Sequence, residues 1–266
     1  MLANLDFALI IVVLTAVAGL ISACDALLFR SARVAKAAGG EQVKEPIVVD
    51  YARSFFPILL IVLVIRSFLF EPFRIPSGSM TPTLLTGDFI FVNKFSYGLR
   101  LPVLNTKIVA VGEPERGDVV VFRLPSDPHE NYVKRVVGLP GDVVEYQKAN
   151  KRLTINGEPI PIEIVGEYYD EDDGENTILG WEQLGDHHHR VLLIPGRTSE
   201  GGTYRVPEGH YFMMGDNRDN SQDGRYDVVG FVPEGNLVGR ATGIWMNWRR
   251  PSKGGPQWNR IGKGIE

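Results

Sequence analysis

The chain has 266 residues, a formal net charge of −4 and 44% hydrophobic residues, enough for a membrane anchor plus one medium-sized domain. The acidic balance speaks against a nucleic-acid binder, which carries a basic footprint. A single cysteine, Cys24, excludes an intramolecular disulfide and leaves the redox compartment open, because a domain of this size can be stable without bridges.

In chain order, residues 7–24 read FALIIVVLTAVAGLISAC, with no charge. At 1.5 Å rise per residue this nearly spans a hydrocarbon core of about 30 Å, and the apolar patch 26–29 extends it past Asp25. A cleavable signal peptide is the rival. Residues 1–6 lack the Lys or Arg of a positive n-region, so an uncleaved helix over 7–29 is expected. Residues 55–70 read FFPILLIVLVIRSFLF. Arg66 enters near the end, where a long arginine reaches the interface, so the stretch predicts a second span. Pro57 falls in its first turn, where proline is tolerated. The intervening loop carries Arg30, Arg33, Lys36, Lys44 and Arg53, and the N-terminal tail carries none. The positive-inside rule then places the loop in the cytoplasm and everything after Phe70 outside.

From Glu71 onward the pattern changes to short β-rich runs broken by glycine and proline. Strands are expected at 88–93, 118–123, 132–137, 142–146, 152–155, 189–194 and 210–214. Turns such as LPGD at 139–142 and the hairpin signal Asn156-Gly157 separate them. The fold class is therefore mainly β: two N-terminal transmembrane helices, then an antiparallel, barrel-like catalytic domain. Residues 147–205, with the acidic run YDEDDGE at 169–175, differ from their flanks. They read as an inserted β subdomain or extended flap between two parts of a catalytic core, 71–146 and 206–266, with residues 1–70 as the anchor.

Three motifs are candidates for chemistry. PSGSMTP at 76–82 is a stiff loop suited to presenting a hydroxyl, or simply the linker that leaves the membrane. In NYVKRVVGLPGD at 131–142, alternation puts Lys134 on the face of Tyr132 and Val136, and Arg135 on the other. A buried Lys134 would have a depressed pKa and serve as a base near neutrality; an edge-strand lysine on a solvated face is the plainer alternative. GDNRDNSQDGR at 215–225 suits a tightly hydrogen-bonded polar loop. Its calcium alternative matches EF-hand positions at Asp219, Ser221, Asp223 and Gly224, but Gly230 stands where the bidentate Glu belongs. No G-x-S-x-G, S-x-x-K or H-E-x-x-H occurs. Three of the five histidines form the run 187–189, expected as a surface tract. Only His129 and His210 remain for a histidine-based triad, and neither neighbours a suitable motif.

Taken together, EPFRI and PSGSM at 71–80, RGDVVVF at 116–122, YVKRVVGLPGD at 132–142 and GDNRDNS at 215–221 resemble the bacterial type I signal peptidases. The resemblance runs from the second span onward, apart from the middle. It implies Ser79 as nucleophile, Lys134 as general base, Ser77 with the Ser79 N–H as oxyanion hole, and Ser221 as a hydrogen-bond partner of Lys134. It also implies an Asp223–Arg225 ion pair, and Asp216 paired with Arg135 or Arg218. Phe73, Ile75, Pro76, Met80, Leu84, Tyr132 and Val133 would line shallow pockets for small side chains at substrate positions −1 and −3. The implied partners are exported preproteins and membrane lipid, with no nucleic acid, cofactor or metal. The implied location is the bacterial inner membrane, multi-pass, with the catalytic domain on the periplasmic side and a β-rich core shared with self-cleaving SOS repressors. The exported part lacks the cysteines of some relatives, and its middle is shorter than in the longest. Two rivals stay open: a self-cleaving repressor, for which two spans occupy the place of a DNA-binding domain, and a non-enzymatic anchored binding module.

Overall fold

The computed structural model describes residues 7–38, 45–101, 106–170, 174–249 and 255–265. The chain divides into two compact units, residues 1–70 with 99–109, and residues 71–98 with 110–266.

In the first unit, helix α1 (Phe7–Cys24) continues through a π-helical turn (Asp25–Phe29) into α2 (Arg30–Ala38), and α3 (Ile47–Val64) ends in a second such turn (Ile65–Leu69). Helical stretches Leu9–Ala35 and Ile47–Leu69 are long and apolar enough to cross a membrane. Gly19 lets the two helices approach: a Cβ there would lie 2.8 Å from the Phe56 ring. Two expectations need correction. The second helix begins at Ile47 rather than at 55, so Pro57 sits inside it and not in its first turn. Counting apolar residues finds where lipid-compatible sequence starts, whereas IVVDYARS is helical despite Asp50 and Arg53. The first helix likewise runs past residue 29, with Asp25 paired to Arg33 at 2.5 Å.

Sixteen strands follow among the described residues. They are β1 (Phe70–Arg74), β2 (Asp88–Asn93), β3 (Leu99–Arg100) and β4 (Lys107–Val109), the last two a small ladder of the first unit. Next come β5 (Val119–Arg123), β6 (Asn131–Gly138), β7 (Val143–Gln147), β8 (Arg152–Ile155), β9 (Glu158–Ile160) and β10 (Ile162–Asp170). The rest are β11 (Glu175–Leu184), β12 (His187–Leu193), β13 (Gly202–Arg205), β14 (His210–Met214), β15 (Phe231–Pro233) and β16 (Leu237–Asn247). The main sheet is a curled antiparallel half-barrel of seven strands, in the order β1-β2-β16-β5-β6-β14-β15. A second sheet is β13-β7-β8-β9 and a third β10-β11-β12.

The sequence of β5, VVVFR, shows how the sheet is held. Val119 and Val121 enter a core with Ile75, Met80, Leu84, Ile90 and Ile244. Val120 and Phe122 enter another with Val136, Tyr211 and Met213. Strand alternation thus divides one valine-rich run between two cores, which the β-branched side chains suit. A third core joins Val137, Phe212 and Met214 of the main sheet to Val144, Leu153, Ile155 and Leu184. The stretch 147–205 therefore packs into the same core as the strand that carries Lys134. Leu153 is fully buried there. Leu153→Ala is expected to lower the unfolding free energy of detergent-solubilised protein by about 2–5 kcal/mol in denaturant titration. A change under about 1 kcal/mol would mean that this core does not bear on the fold.

Candidate active site

The 76–86 loop owes its position to bonds at both ends. Ile75 N–H donates to the Asp88 carbonyl at 2.8 Å and Gly87 N–H to the Ile75 carbonyl at 2.9 Å. Arg260 grips the Asp88 carboxylate and donates to the Thr83 carbonyl at 2.9 Å. Thr83 Oγ1 donates to Asp216 Oδ2 at 2.6 Å. Such anchoring leaves little freedom to Ser79, which reaches into an open cleft.

That cleft has a volume of about 1010 Å³ and is bounded by residues 73–80, 130–134 and 219–222, with Thr86 and Tyr226. At its floor Lys134 Nζ donates to Ser79 Oγ at 2.7 Å and to the Val133 carbonyl at 3.1 Å. Lys134 belongs to an interior strand, with β5 and β14 as neighbours, and is only 3% exposed. That removes the solvated edge-lysine alternative. Burial pulls its pKa from 10.5 to about 8, against an opposing pull from Asp223 and Asp216. The Tyr132 ring lies 5.3 Å from the amine.

Behind the cleft runs a buried charge network. Arg135 makes two 2.8 Å bonds to Asp216, through Nε and Nη2, and also holds the Gly117 carbonyl. Of the two partners expected for Asp216, the structure selects Arg135. Arg218 instead forks onto Glu182, Nη1 to Oε1 at 2.7 Å and Nη2 to Oε2. Arg225 binds Asp223 at 2.8 Å and 2.9 Å, stacks its guanidinium 4.9 Å from the Tyr146 ring, and donates to the Arg218 carbonyl. Asp223 in turn accepts Gly215 N–H at 3.0 Å. Gly215 has no room for a side chain: a Cβ would meet Ser221 Oγ at 2.2 Å and the Ser79 carbonyl at 2.5 Å.

The candidate substrate-contacting residues divide. Phe73, Ile75, Pro76, Met80, Tyr132 and Val133 line the cleft beside Ser77 and Ser79. Leu84 does not; it is fully buried in the core beneath Ile75 and Met80. Ser221 is buried at the cleft wall, but Lys134 makes no bond to it and spends its donors on Ser79 and Val133. The calcium alternative fails on chemistry, because the carboxylates of the 215–225 loop are already engaged. Asp219 takes Lys151, Ser199 Oγ and Ile194 N–H, and Asp223 takes Arg225 and Gly215.

Two buried groups lie outside the motifs that the sequence singles out. Of the 187–189 histidines, expected as a surface tract, His188 is exposed but His189 is 3% exposed, with Nε2 3.3 Å from Glu182 and 3.9 Å from Asp216. Burial, then the Arg135 charge, holds its pKa below the ordinary histidine value. Glu182 is fully buried; burial pushes its carboxyl up, but Arg218 and His189 outweigh that and bring the pKa to about 2. Alternation along β11 and β12 was the available signal, since Glu182 and His189 face each other in register.

A serine hydroxyl held by a buried lysine amine in an open β-cleft is the arrangement of a serine endopeptidase that needs no histidine. The chain belongs to the signal peptidase family, peptidase S26, whose signature matches residues 48–248. It is 48% identical to "Signal peptidase I" of Pseudomonas fluorescens, over 97% of this chain and 99% of that one. It shares 48% with "Signal peptidase I" of Pseudomonas aeruginosa, again over 97% and 99%. With "Signal peptidase I" of Haemophilus influenzae it shares 36%, over 78% of this chain and 72% of the other.

The lysine carries a stability cost with a definite pH dependence. Its folded pKa, about 8, lies below the ordinary 10.5, so the folded state binds fewer protons between those values. The cost is complete below about pH 8 and fades as pH rises toward 10.5. At about 1.4 kcal/mol per unit it amounts to about 3 kcal/mol. Lys134→Met is expected to be inactive yet more stable by up to about that amount at pH 6–7, with the gain shrinking by pH 10. Denaturant titrations at the two pH values check this; a gain independent of pH would remove burial of the amine as its cause.

Proposed function

We propose that the chain is a membrane-bound endopeptidase that removes N-terminal signal peptides from exported preproteins, with Ser79 as nucleophile and Lys134 as general base. The observation that carries the reading is the 2.7 Å contact between Lys134 Nζ and Ser79 Oγ at a site where the amine is buried. A neutral amine accepts the Ser79 proton as Oγ attacks the scissile carbonyl carbon, and the new ammonium then protonates the leaving amine as the C–N bond breaks. The ester so formed on Ser79 is hydrolysed by water that gives its proton to the same amine, which regenerates the serine. Asn217 donates its N–H to the Ser79 carbonyl at 3.1 Å and its side-chain amide to the Gly78 carbonyl at 3.3 Å, and the second bond orients the peptide plane that carries the Ser79 N–H. The Ser79 N–H and the Ser77 hydroxyl are then the oxyanion donors.

Substrate binds as an extended strand along the cleft. β14 pairs with β6 from Arg135 to Gly138, which leaves the 131–134 stretch with β5 on one side and the cleft on the other. An added strand there gains main-chain hydrogen bonds, and alternate side chains enter pockets. Half-buried Phe73, Tyr132 and Val133 above buried Ile75 and Met80 leave depth for small residues at −1 and −3. The charged loop between the helices and the rule of positive residues inside support a cytoplasmic loop, with the catalytic domain on the periplasmic side of a bacterial inner membrane. Residues 71–146 and 206–266 serve as the catalytic core, with 147–205 as an insertion that braces it. Sharing the plane of the bilayer with the substrate's apolar segment raises the effective concentration of each for the other.

Incubation of the detergent-solubilised protein with a preprotein, followed by N-terminal sequencing of the product, tests the reading. Ser79→Ala and Lys134→Ala are expected to abolish cleavage, because nucleophile and base act as a unit. Ser77→Ala should retain cleavage slowed by ~10²–10³, the cost of one oxyanion donor. Cleavage that survives Ser79→Ala would sink the assignment. Because the base must be neutral and its pKa is about 8, the rate should fall about tenfold per pH unit below that value. A rate undiminished down to pH 5 is incompatible with Lys134 as the base.

A further inference from the structure

Three consecutive residues tie the dyad to the rest of the protein. Asp216 holds Arg135, the neighbour of Lys134 on β6, through two 2.8 Å bonds. Asn217 donates its N–H to the Ser79 carbonyl at 3.1 Å and its side-chain amide to the Gly78 carbonyl at 3.3 Å. Arg218 donates its N–H to the Leu192 carbonyl at 3.0 Å, while Leu192 N–H donates to the Asp216 carbonyl at 2.9 Å. The turn is thus laced to β12 on one side and to the serine loop on the other. Its charge is gripped by Glu182, on β11 within the 147–205 stretch, fully buried and bidentate to Arg218. His189, opposite Glu182 in register, stands between that carboxylate and Asp216.

We infer that Glu182 is a positioning residue for the proposed reaction: through Arg218 it sets the height of the 216–218 turn, and thereby the orientation of the Ser79 peptide relative to Lys134. Glu182 touches neither the cleft nor the reacting atoms. Its effect passes along bonds that are short, buried and fixed in direction, since a forked carboxylate–guanidinium pair constrains angle as well as distance. A neutral or shorter partner would leave the Arg218 charge unpaired in the interior, and Arg218 would move to seek solvation. Asn217 would follow, and with it the Ser79 carbonyl and the plane of the Ser79 peptide. Displacements under an ångström at reacting groups are costly in rate while ground-state binding in a cleft some residues away is little changed.

The inference rests on Ser79 and Lys134 as nucleophile and base, and the two readings fail differently. Survival of cleavage in Ser79→Ala overturns the dyad whatever Glu182 does; the Glu182 test asks how rate and binding divide in an active enzyme. Steady-state cleavage of a signal-peptide substrate by Glu182→Gln and by the double variant Glu182→Met/Arg218→Met, compared with the parent, supplies the test. Assays run well below each variant's melting temperature. Both variants are expected to lose about 10–100-fold in kcat with KM within about twofold, and the pH midpoint of the acidic limb should remain near that of the parent. The double variant, freed of the unpaired charge, should regain the melting temperature without regaining kcat. A folded variant with kcat within about twofold of the parent, or a kcat that recovers together with melting temperature in the double variant, overturns the proposal. Should Glu182→Gln fail to fold, the double variant alone decides between these outcomes.

Discussion

The withdrawal of one amine from water governs the chemistry and much of the architecture. Burial weakens the hold of Lys134 Nζ on its proton, which the proposed role as base requires, and it opposes folding by about 3 kcal/mol at neutral pH. The residue accordingly sits on β6 with β5 on one side and the cleft on the other, and the β5 valines feed cores on both faces. Packing of this density resists the relaxation that would let water back to the amine. The same burial leaves the 2.7 Å bond to Ser79 Oγ in a low-dielectric setting, where its geometry and proton affinity count for more than they would in solution.

A buried amine that gains and loses a proton needs surroundings whose charge does not change with it. Asp216 with Arg135, Glu182 with Arg218 and Asp223 with Arg225 are internally neutral pairs, each carboxylate held below its ordinary pKa by its arginine against the upward push of burial. Around the working pH none of the three carboxylates takes up a proton. They also supply direction, because two of the arginines reach a main-chain carbonyl in addition to their carboxylate: Arg135 the Gly117 carbonyl, Arg225 the Arg218 carbonyl. Pairs of this kind are weak contributors to net stability. Their consequence here is geometric, in the spacing of the serine loop, the lysine strand and the 215–225 loop.

Much of the secondary structure was legible from alternation and turn chemistry. The strand at 88–93, the strand at 210–214 and the Asn156-Gly157 hairpin lie where the pattern puts them. Element ends were less so. The helix that starts at Ile47 rather than 55 includes two charged residues that an apolar count rejects, although helix formation depends on backbone hydrogen bonds and not on hydropathy. The histidine run misled for a related reason. Three identical residues suggest one environment, whereas a strand sends His188 outward to stack on Trp181 and His189 inward to the charge network. The resemblance groups Leu84 with the cleft residues, whereas its full burial in the core shared with Ile75 and Met80 is a property of packing.

By itself the sequence determined two apolar segments, a β-rich remainder, and the residue types able to perform serine chemistry without histidine, because these follow from local composition, periodicity and motif. Whether a serine in a proline-bounded loop and a lysine 55 positions later form one site lay beyond it, since contact at that separation is a property of sheet order and loop anchoring. Only the tertiary structure decided that Lys134 is buried, that Asp216 takes Arg135 while Arg218 takes Glu182, and that Lys134 bonds Ser79 and not Ser221. Each of these depends on which groups share a dry interior, where an unpaired charge is costly and the choice of partner is therefore made by the whole packed fold.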